Sequence, residues 1–291
     1  MVENFAKEKD LNRNTFLQEP ISLFGASGFV GSHFFEKSER EVLAIPKMCK
    51  VGKTKDIIYL IGTVHNYNIF DNPQLDIDVN LKLMIEVLEE TRKVFQHFTF
   101  NFISTWFVYG EGAIPYQETQ ICNPKGFYSI TKYAAELLLQ SYCRTFDINY
   151  RIIRLGNVVG AGDRKASKKK NALQYLVDKI RNNEDIELYE GGSILRDYIH
   201  INDVVRGIDL IINESPKDAI YNLGSGKGTK IIDLLAEFRD LIGSNSRFIT
   251  VPTPKFHRNV QVKDAVLDMS KMFRLGYELR YPINAAVLKE L

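Results

Sequence analysis

Cysteine is scarce in this chain. Its 291 residues hold three, Cys49, Cys122 and Cys143, odd in number, far apart and in no metal-ligand spacing. That excludes a disulfide framework and a thiolate metal site, and it fits reduced thiols in a cytoplasmic protein. Long hydrophobic runs are missing: none approaches the ~20 residues of a membrane helix, so no membrane insertion is expected. Charge of one sign is not in excess, with 38 Lys and Arg against 36 Asp and Glu and a formal net charge of +2. A chain built for nucleic acid or an anionic membrane surface would be far more basic. The first 19 residues are polar, carry both signs and lack an apolar core. They read as a short extension and not as a secretory signal. Internal repeats and low-complexity segments are also lacking. The remainder is ordinary for a soluble globular protein, 45% hydrophobic and 25% charged, with length for one or two domains.

What is present begins after Pro20. Residues 21–24 form a short apolar strand, followed by Gly25-Ala26-Ser27-Gly28-Phe29-Val30-Gly31. This is Gly-x-x-Gly-x-x-Gly, set between a strand and a helix that starts near Phe29. Glycines let the backbone turn tightly and approach a pyrophosphate. The helix N-terminus offers unpaired N–H groups and a positive dipole end. In that context the pattern points to a bound dinucleotide; a glycine turn without a ligand is the plainer reading.

Residues 41–45 read as the second strand. An acidic residue near its end would hold the adenosine ribose hydroxyls. Here Pro46 and Lys47 follow, with Lys50, Lys53 and Lys55 close behind. Missing acid and added positive charge favour a 2′-phosphate, hence NADP over NAD, although a solvated lysine-rich loop explains the same residues. The next strand, residues 56–62, starts only about ten residues later, barely one connection. A strand and a helix usual on this flank are therefore expected to be missing, which opens the adenine side.

Residues 76–92 read as a helix with Ile77, Leu81, Met84 and Leu88 on its apolar stripe. Residues 98–104 form a buried strand ending at Ser104-Thr105. Ligands of open α/β sheets sit at the carboxyl ends of strands, where Thr105 stands; a strand-ending hydroxyl bonded to backbone is the alternative. Next comes Tyr128-Ser129-Ile130-Thr131-Lys132, opening a helix to about residue 145, whose stripe is Ala135, Leu138, Leu139 and Tyr142. Tyr128 and Lys132 are four apart, which puts both on one helix face. An ammonium beside a phenol is expected to draw its pKa toward neutrality, making a proton donor and acceptor. A packed ring beside a solvated amine is the bland reading.

Residues 150–155 form another strand. The loop at residues 160–170 carries Arg164, Lys165, Lys168, Lys169 and Lys170, solvated or aimed at anionic substrate groups. Then come a helix (171–181), strands (186–189 and 194–200), a helix from an Asn202 N-cap to residue 213, a strand (220–223), a helix (230–242) and a last strand (247–251). The cluster Gly224-Ser225-Gly226-Lys227-Gly228 reads as a turn. Alternating strands and helices imply an α/β fold, a Rossmann-like doubly wound parallel sheet with a smaller C-terminal mixed α/β substrate lobe. The dinucleotide domain is drawn at residues 1–160 plus about 197–224, and the lobe at 161–196 plus 225–291, with the substrate in the cleft between them.

Together these motifs resemble those of the extended short-chain dehydrogenase/reductases, the nucleotide-sugar epimerase/dehydratase family. The resemblance spans roughly residues 21–277 and lies in the order of the motifs. They are Gly25-x-x-Gly28-x-x-Gly31, Ser104-Thr105 ahead of Val108-Tyr109-Gly110, Tyr128-x-x-x-Lys132, Arg154-Leu155-Gly156-Asn157, and Arg196-Asp197-Tyr198-Ile199-His200. It implies an NAD(P)-dependent enzyme acting on a nucleotide-diphosphate sugar without a metal. By resemblance Tyr128 would be the acid/base on a sugar hydroxyl. Lys132 would hold the nicotinamide ribose and lower the Tyr128 pKa, and Thr105 would bond the same sugar oxygen. Asn157 and Arg196 would grip the diphosphate, Arg through bidentate bonds. The dinucleotide would lie against Gly25, Ser27, Gly28, Phe29, Val30, Gly31, Lys47, Leu60, Gly62, Lys132 and Leu155. The family often forms homodimers through a four-helix bundle, here from the helices at 76–92 and 128–145.

One departure narrows the reaction. The 4,6-dehydratases that resemble this chain carry an Asp-Glu pair directly after the catalytic Thr, and a decarboxylase would also want a carboxylate there. Trp106 and Phe107 stand at those positions and cannot transfer protons. What remains is chemistry of one hydride and one proton: reduction of a keto-sugar, oxidation of an alcohol, or 4-epimerisation through a transient ketone. Trp106 either packs on the sugar face or fills the lobe interface. An epimerase must retain NAD, whereas a reductase must release it, and the shortened flank favours the reductase. A non-catalytic dinucleotide-binding protein is the reading from another class; such chains usually lose the Tyr or the Lys, and both stand here.

Overall fold

The structure is a computed structural model and describes residues 19–163 and 172–291. The expectations for residues 1–18 and for Arg164, Lys165, Lys168, Lys169 and Lys170 lie outside the described residues. The first half of the chain holds strands β1 (Ile21–Phe24), β2 (Val42–Ile45), β3 (Asp56–Tyr59), β4 (Thr99–Thr105) and β5 (Asn149–Leu155). Its helices are α1 (Phe29–Lys37), α2 (Asn68–Asp71), α3 (Gln74–Ile77), α4 (Leu83–Val94) and α5 (Phe127–Phe146). The second half adds β6 (Asn157–Val159), α6 (Ala172–Arg181), β7 (Ile186–Tyr189), β8 (Leu195–His200), α7 (Ile201–Glu214) and β9 (Ala219–Leu223). It continues with β10 (Gly228–Lys230), α8 (Ile231–Ile242), β11 (Phe248–Val251), α9 (Lys255–Val260), α10 (Ser270–Arg274) and α11 (Ala285–Leu288).

Six strands form one sheet in the order β2-β1-β3-β4-β5-β9, and every neighbouring pair is parallel. The order steps outward in both directions from β1 and β3, as a doubly wound sheet must. Phe34, Ile208 and Ile211 of α1 and α7 cover one face, and Met84, Leu88, Ala135 and Leu139 of α4 and α5 cover the other. All seven residues of β4 are buried, as a central parallel strand requires. Among the described residues β2 is the edge of the sheet, and the flank is short. Its link to β3 carries no helix; hydroxyls pin it to β1 instead. Ser22 Oγ accepts from the Lys53 and Thr54 amides at 2.9 and 3.0 Å, and Thr54 Oγ1 accepts from the Ser22 amide at 2.9 Å.

A second, smaller layer follows. β10, β8 and β6 make a three-stranded mixed sheet, and β11 pairs with β7. Leu173, Val177, Leu234, Leu235 and Phe238 of α6 and α8 build a separate core there. Among the described residues no helix is long and apolar enough to cross a membrane.

Three local expectations need correction. The helix expected over residues 76–92 runs as α3, a π turn at Asp78–Lys82, and α4. A π turn spaces its bonds at i→i+5, so it rotates the residues before it relative to those after it. Asp76 and Asn80 are buried in place of Ile77, which is 39% exposed, and of the half-buried Leu81. On α5, Ala135, Leu139 and Cys143 face the core while Leu138 is exposed. The α7 N-cap is His200, whose Nδ1 accepts from the Asn202 amide at 3.1 Å. Asn202 is inside the first turn, and its side chain accepts from Lys37 at 2.7 Å.

Candidate active site

A cavity of about 1360 Å³ runs along the carboxyl ends of the sheet strands and under the smaller layer. It is lined by Gly25, Ser27, Gly28, Phe29, Val30, Gly31, Leu60, Gly62, Thr105, Trp106, Tyr128, Lys132, Leu155, Asn157 and Arg196. Of the residues expected at the site, only Lys47 is absent from this lining; it sits exposed in the turn after β2.

The glycine turn has the shape that a pyrophosphate needs. Gly25 has φ +90° and accepts from the Gly28 amide at 3.0 Å. A Cβ on Gly31 would stand 2.1 Å from the Gly25 carbonyl oxygen, so helix and turn meet only because it is glycine. α1 begins at Phe29 with no side chain capping it and no acidic residue in its first turn. Its N–H groups and dipole are therefore unopposed toward an anion. These residues fit a nicotinamide dinucleotide.

At the other end β4 delivers Thr105 and α5 delivers Tyr128 and Lys132. Thr105 Oγ1 accepts from the Phe107 amide at 3.3 Å, so the strand-ending hydroxyl both caps the next turn and lines the cavity. Burial pushes the Tyr128 phenol up to about 12, against a downward pull from the Thr105 hydroxyl. Burial pushes the Lys132 amine down to about 7. Its Nζ donates to the Ile103 carbonyl at 2.8 Å and lies 4.0 Å from the centre of the Phe102 ring. Burial, and not Lys132, sets the direction for the phenol here. The phenol is desolvated, and the amine is itself desolvated and turned to a carbonyl.

Trp106 and Phe107 stack with ring centres 4.0 Å apart, and Phe107 meets the Tyr128 ring edge-on at 6.2 Å. Arg196 lies over Trp106 at 5.2 Å. Its Nη1 donates to the Leu195 and Lys263 carbonyls and its Nη2 to the Val262 carbonyl, so both terminal nitrogens are engaged with backbone. Asn157 Nδ2 donates to the Asp197 carbonyl at 3.1 Å. The second glycine cluster is a turn, and it cradles a carboxylate of the chain itself. Asp197 accepts from the Ser225 and Gly226 amides at 2.6 and 3.0 Å and from the Leu267 amide at 3.1 Å.

A model described as the NAD dependent epimerase/dehydratase family matches residues 47–224, more than half of the chain. The chain belongs to that family.

Within the epimerase/dehydratase family, the putative UDP-glucose 4-epimerase of Methanocaldococcus jannaschii is 26% identical over 290 residues, covering 89% of this chain and 92% of the relative. The dTDP-4-dehydro-6-deoxy-D-allose reductase of Streptomyces bikiniensis is 24% identical over 296 residues, covering 87% and 89%. Among solved structures, RMD from Pseudomonas aeruginosa complexed with NADPH superposes with a TM-score of 0.81 at 21% identity, over 94% of this chain and 97% of that one. The fold expectation is borne out.

This epimerase/dehydratase member also carries polar residues around the site that sequence reading missed. Asn80 Oδ1 accepts from the Thr63 amide at 2.9 Å, while its Nδ2 donates to Thr63 Oγ1 and Thr131 Oγ1 at 2.8 and 3.0 Å. Thr131 Oγ1 donates in turn to the Tyr128 carbonyl at 2.9 Å, and Asn66 Oδ1 accepts from the Tyr128 amide at 3.1 Å. Asp76 accepts from the Thr63 hydroxyl and, at 3.1 Å, from Asn68 Nδ2. Behind Lys132, Glu136 accepts from Ser104 Oγ at 2.5 Å and pairs with Arg154 at 2.7 Å, all buried. The available signal was a second four-residue step along α5, from Lys132 to an acidic residue.

Proposed function

We propose that this protein is an NAD(P)-dependent reductase of a nucleotide-activated keto-sugar, with C4 as the reacting carbon. One observation carries the reading: the cavity wall beside Tyr128 and Thr105 is the Trp106–Phe107 stack, where elimination chemistry would need carboxylates. Tyr128 is then the proton-transfer group at the reacting carbon. When bound, the dinucleotide supplies the hydride. Thr105 orients the carbonyl oxygen, Tyr128 protonates it, and Lys132 holds the ribose. Arg196, at the cavity wall with Asn157, would grip the diphosphate through the donors that the backbone carbonyls leave over. In this reading residues 1–160 plus about 197–224 form the dinucleotide domain and 161–196 plus 225–291 the substrate lobe, with the sugar in the cleft between them.

NADP is the preferred cofactor, since β2 runs into Pro46-Lys47 and no carboxylate stands there to hold ribose hydroxyls. The edge position of β2 favours a cofactor that leaves after each turnover, which separates this reading from a 4-epimerase with tightly held NAD. Thermal-shift screening tests cofactor and substrate together. NADP or NADPH should raise the melting temperature more than NAD, and one class among UDP-, dTDP-, GDP- and CDP-sugars should add to it. Stoichiometric NAD surviving gel filtration would favour the epimerase.

The setting is cytoplasmic, in keeping with three free cysteines, and the working form is a homodimer through the α3–α4 and α5 helices. Exposed Ile77, Val94, Ile130, Leu137 and Leu138 on those helices support such a four-helix bundle. Leu138→Glu should therefore weaken the dimer ~10-fold or more by burying a charge, read as a monomer shift in light scattering. An unchanged dimer would remove this interface.

A further inference from the structure

The link between β2 and β3, residues 46–55, is fastened to the body of the protein and away from the cavity. Its polar groups are engaged internally one after another. Pro46 has no N–H, and its carbonyl accepts from the Cys49 amide at 2.8 Å. The Gly52 amide donates to Thr91 Oγ1 of α4 at 3.0 Å, and Lys50 pairs with Glu86 of α4 at 2.6 Å. The Lys53 and Thr54 amides both go to Ser22 Oγ of β1, and Thr54 Oγ1 donates to the Asp56 carbonyl at 2.7 Å. Cys49 packs against the core beneath α4 and α5. Pro46, Lys47 and Met48, which follow β2 directly, stand exposed. Among the described residues the cavity lining runs along α1 as far as Glu36 and resumes at Leu60, so neither β2 nor its link takes part in it.

In a dinucleotide fold the adenosine lies beyond the end of β2, where an acidic side chain would take its ribose hydroxyls. Recognition of a purine base needs more: polar groups aimed at its edge, or apolar walls on both of its faces. Here Leu60 and Gly62, just after β3, supply one wall. The opposite wall would have to come from the β2 link, whose bonds run to α4 and β1 instead. The phosphates and the nicotinamide end are served quite differently. The glycine turn and the uncapped start of α1 face the first, and Thr105, Tyr128 and Lys132 line the cavity at the second.

We propose that this chain holds its dinucleotide by the pyrophosphate and the nicotinamide half and does not recognise the adenine base. Dinucleotides that carry another purine in its place therefore bind equally well. The inference rests on the dinucleotide site described above and is independent of the direction of the reaction. It leaves the preference for a 2′-phosphate unchanged. That group is on the ribose, and exposed Lys47 and Lys53 act on it by charge through solvent.

The test uses the full-length protein and no sugar. Isothermal titration compares NADPH with reduced nicotinamide hypoxanthine dinucleotide phosphate, in which a carbonyl replaces the adenine amino group and all else is kept. The two dissociation constants should agree within about threefold, whereas an enclosed base left with an unpaired partner would lose about tenfold or more. Bound 1,N6-etheno-NADP gives a second readout. Its etheno-adenine should be quenched by acrylamide at about half or more of the rate for free etheno-AMP, since protein covers it on one side at most. Gly31→Ala, which disturbs the phosphate turn, should weaken both cofactors by the same factor. A larger hypoxanthine penalty, or an etheno group shielded below that rate, overturns the proposal and leaves the dinucleotide site standing. Failure of NADPH itself to bind overturns the site and the proposal together. Equal binding of the two cofactors, with no keto-sugar reduced, overturns the reductase reading alone.

Discussion

Tyr128→Phe is expected to lower kcat for keto-sugar reduction about 10³-fold, within the range that a positioned acid contributes. The effect should be confined to kcat. The ring that packs edge-on to Phe107 is kept, and only the hydroxyl is removed. Melting temperature and dinucleotide affinity should therefore stay close to wild type. The loss should not be rescued at any pH, because Trp106 and Phe107 cannot transfer protons in its place. Lys132 has its Nζ bonded to the Ile103 carbonyl. A variant retaining a tenth of the wild-type kcat would mean that another group delivers the proton.

Gly31→Ala has the second large effect, this time on binding. Its Cβ would stand 2.1 Å from the Gly25 carbonyl oxygen, 2.9 Å from the Gly25 carbonyl carbon and 3.0 Å from the Ala26 Cα. All three are backbone atoms and cannot swing aside, so α1 must move off the glycine turn. The overpacking should cost about 1–3 kcal/mol of stability. Dinucleotide affinity should fall about 100-fold, or ~2.7 kcal/mol, because the helix N-terminus no longer faces the phosphates. Gly28→Ala is the useful contrast. A Cβ there meets only the Gly25 oxygen, at 3.3 Å, a tight but far milder contact, so the loss of stability should be smaller than in Gly31→Ala. Calorimetry and isothermal titration of both variants separate the two effects; an unaltered affinity in Gly31→Ala would contradict the phosphate-turn assignment.

Much of the site was legible because its residues carry local signals. The glycine spacing fixed the start of α1 at Phe29, and the ten-residue gap after Ile45 gave away the short flank. Tyr128, Lys132, Thr105, Asn157 and Arg196 converge on one cavity since each stands at a strand end or at the start of a helix. What stayed hidden depends on tertiary context. A π turn has no sequence period of its own, so the stripe through Ile77 and Leu81 looked apolar while Asp76 and Asn80 were turned inward. Burial raises the phenol, and Lys132, itself desolvated and bonded to the Ile103 carbonyl, does not offset it. Lys47 follows β2 in sequence but points to solvent, outside the cavity lining. Arg196 was expected to grip phosphate; three backbone carbonyls, two of them from Val262 and Lys263 far along the chain, already take three of its five N–H donors.

The most direct test of the account is a cofactor balance. Purified protein is incubated with NADPH or NADH and nucleotide-linked 4-keto-sugars, following absorbance at the reduced nicotinamide band and the sugar product together. One reduced cofactor should be consumed per alcohol formed, with oxidised cofactor released into solution and the rate about 10³-fold lower in Tyr128→Phe. Interconversion of nucleotide-hexose epimers with no net change in cofactor, by protein that retains NAD throughout, would contradict it.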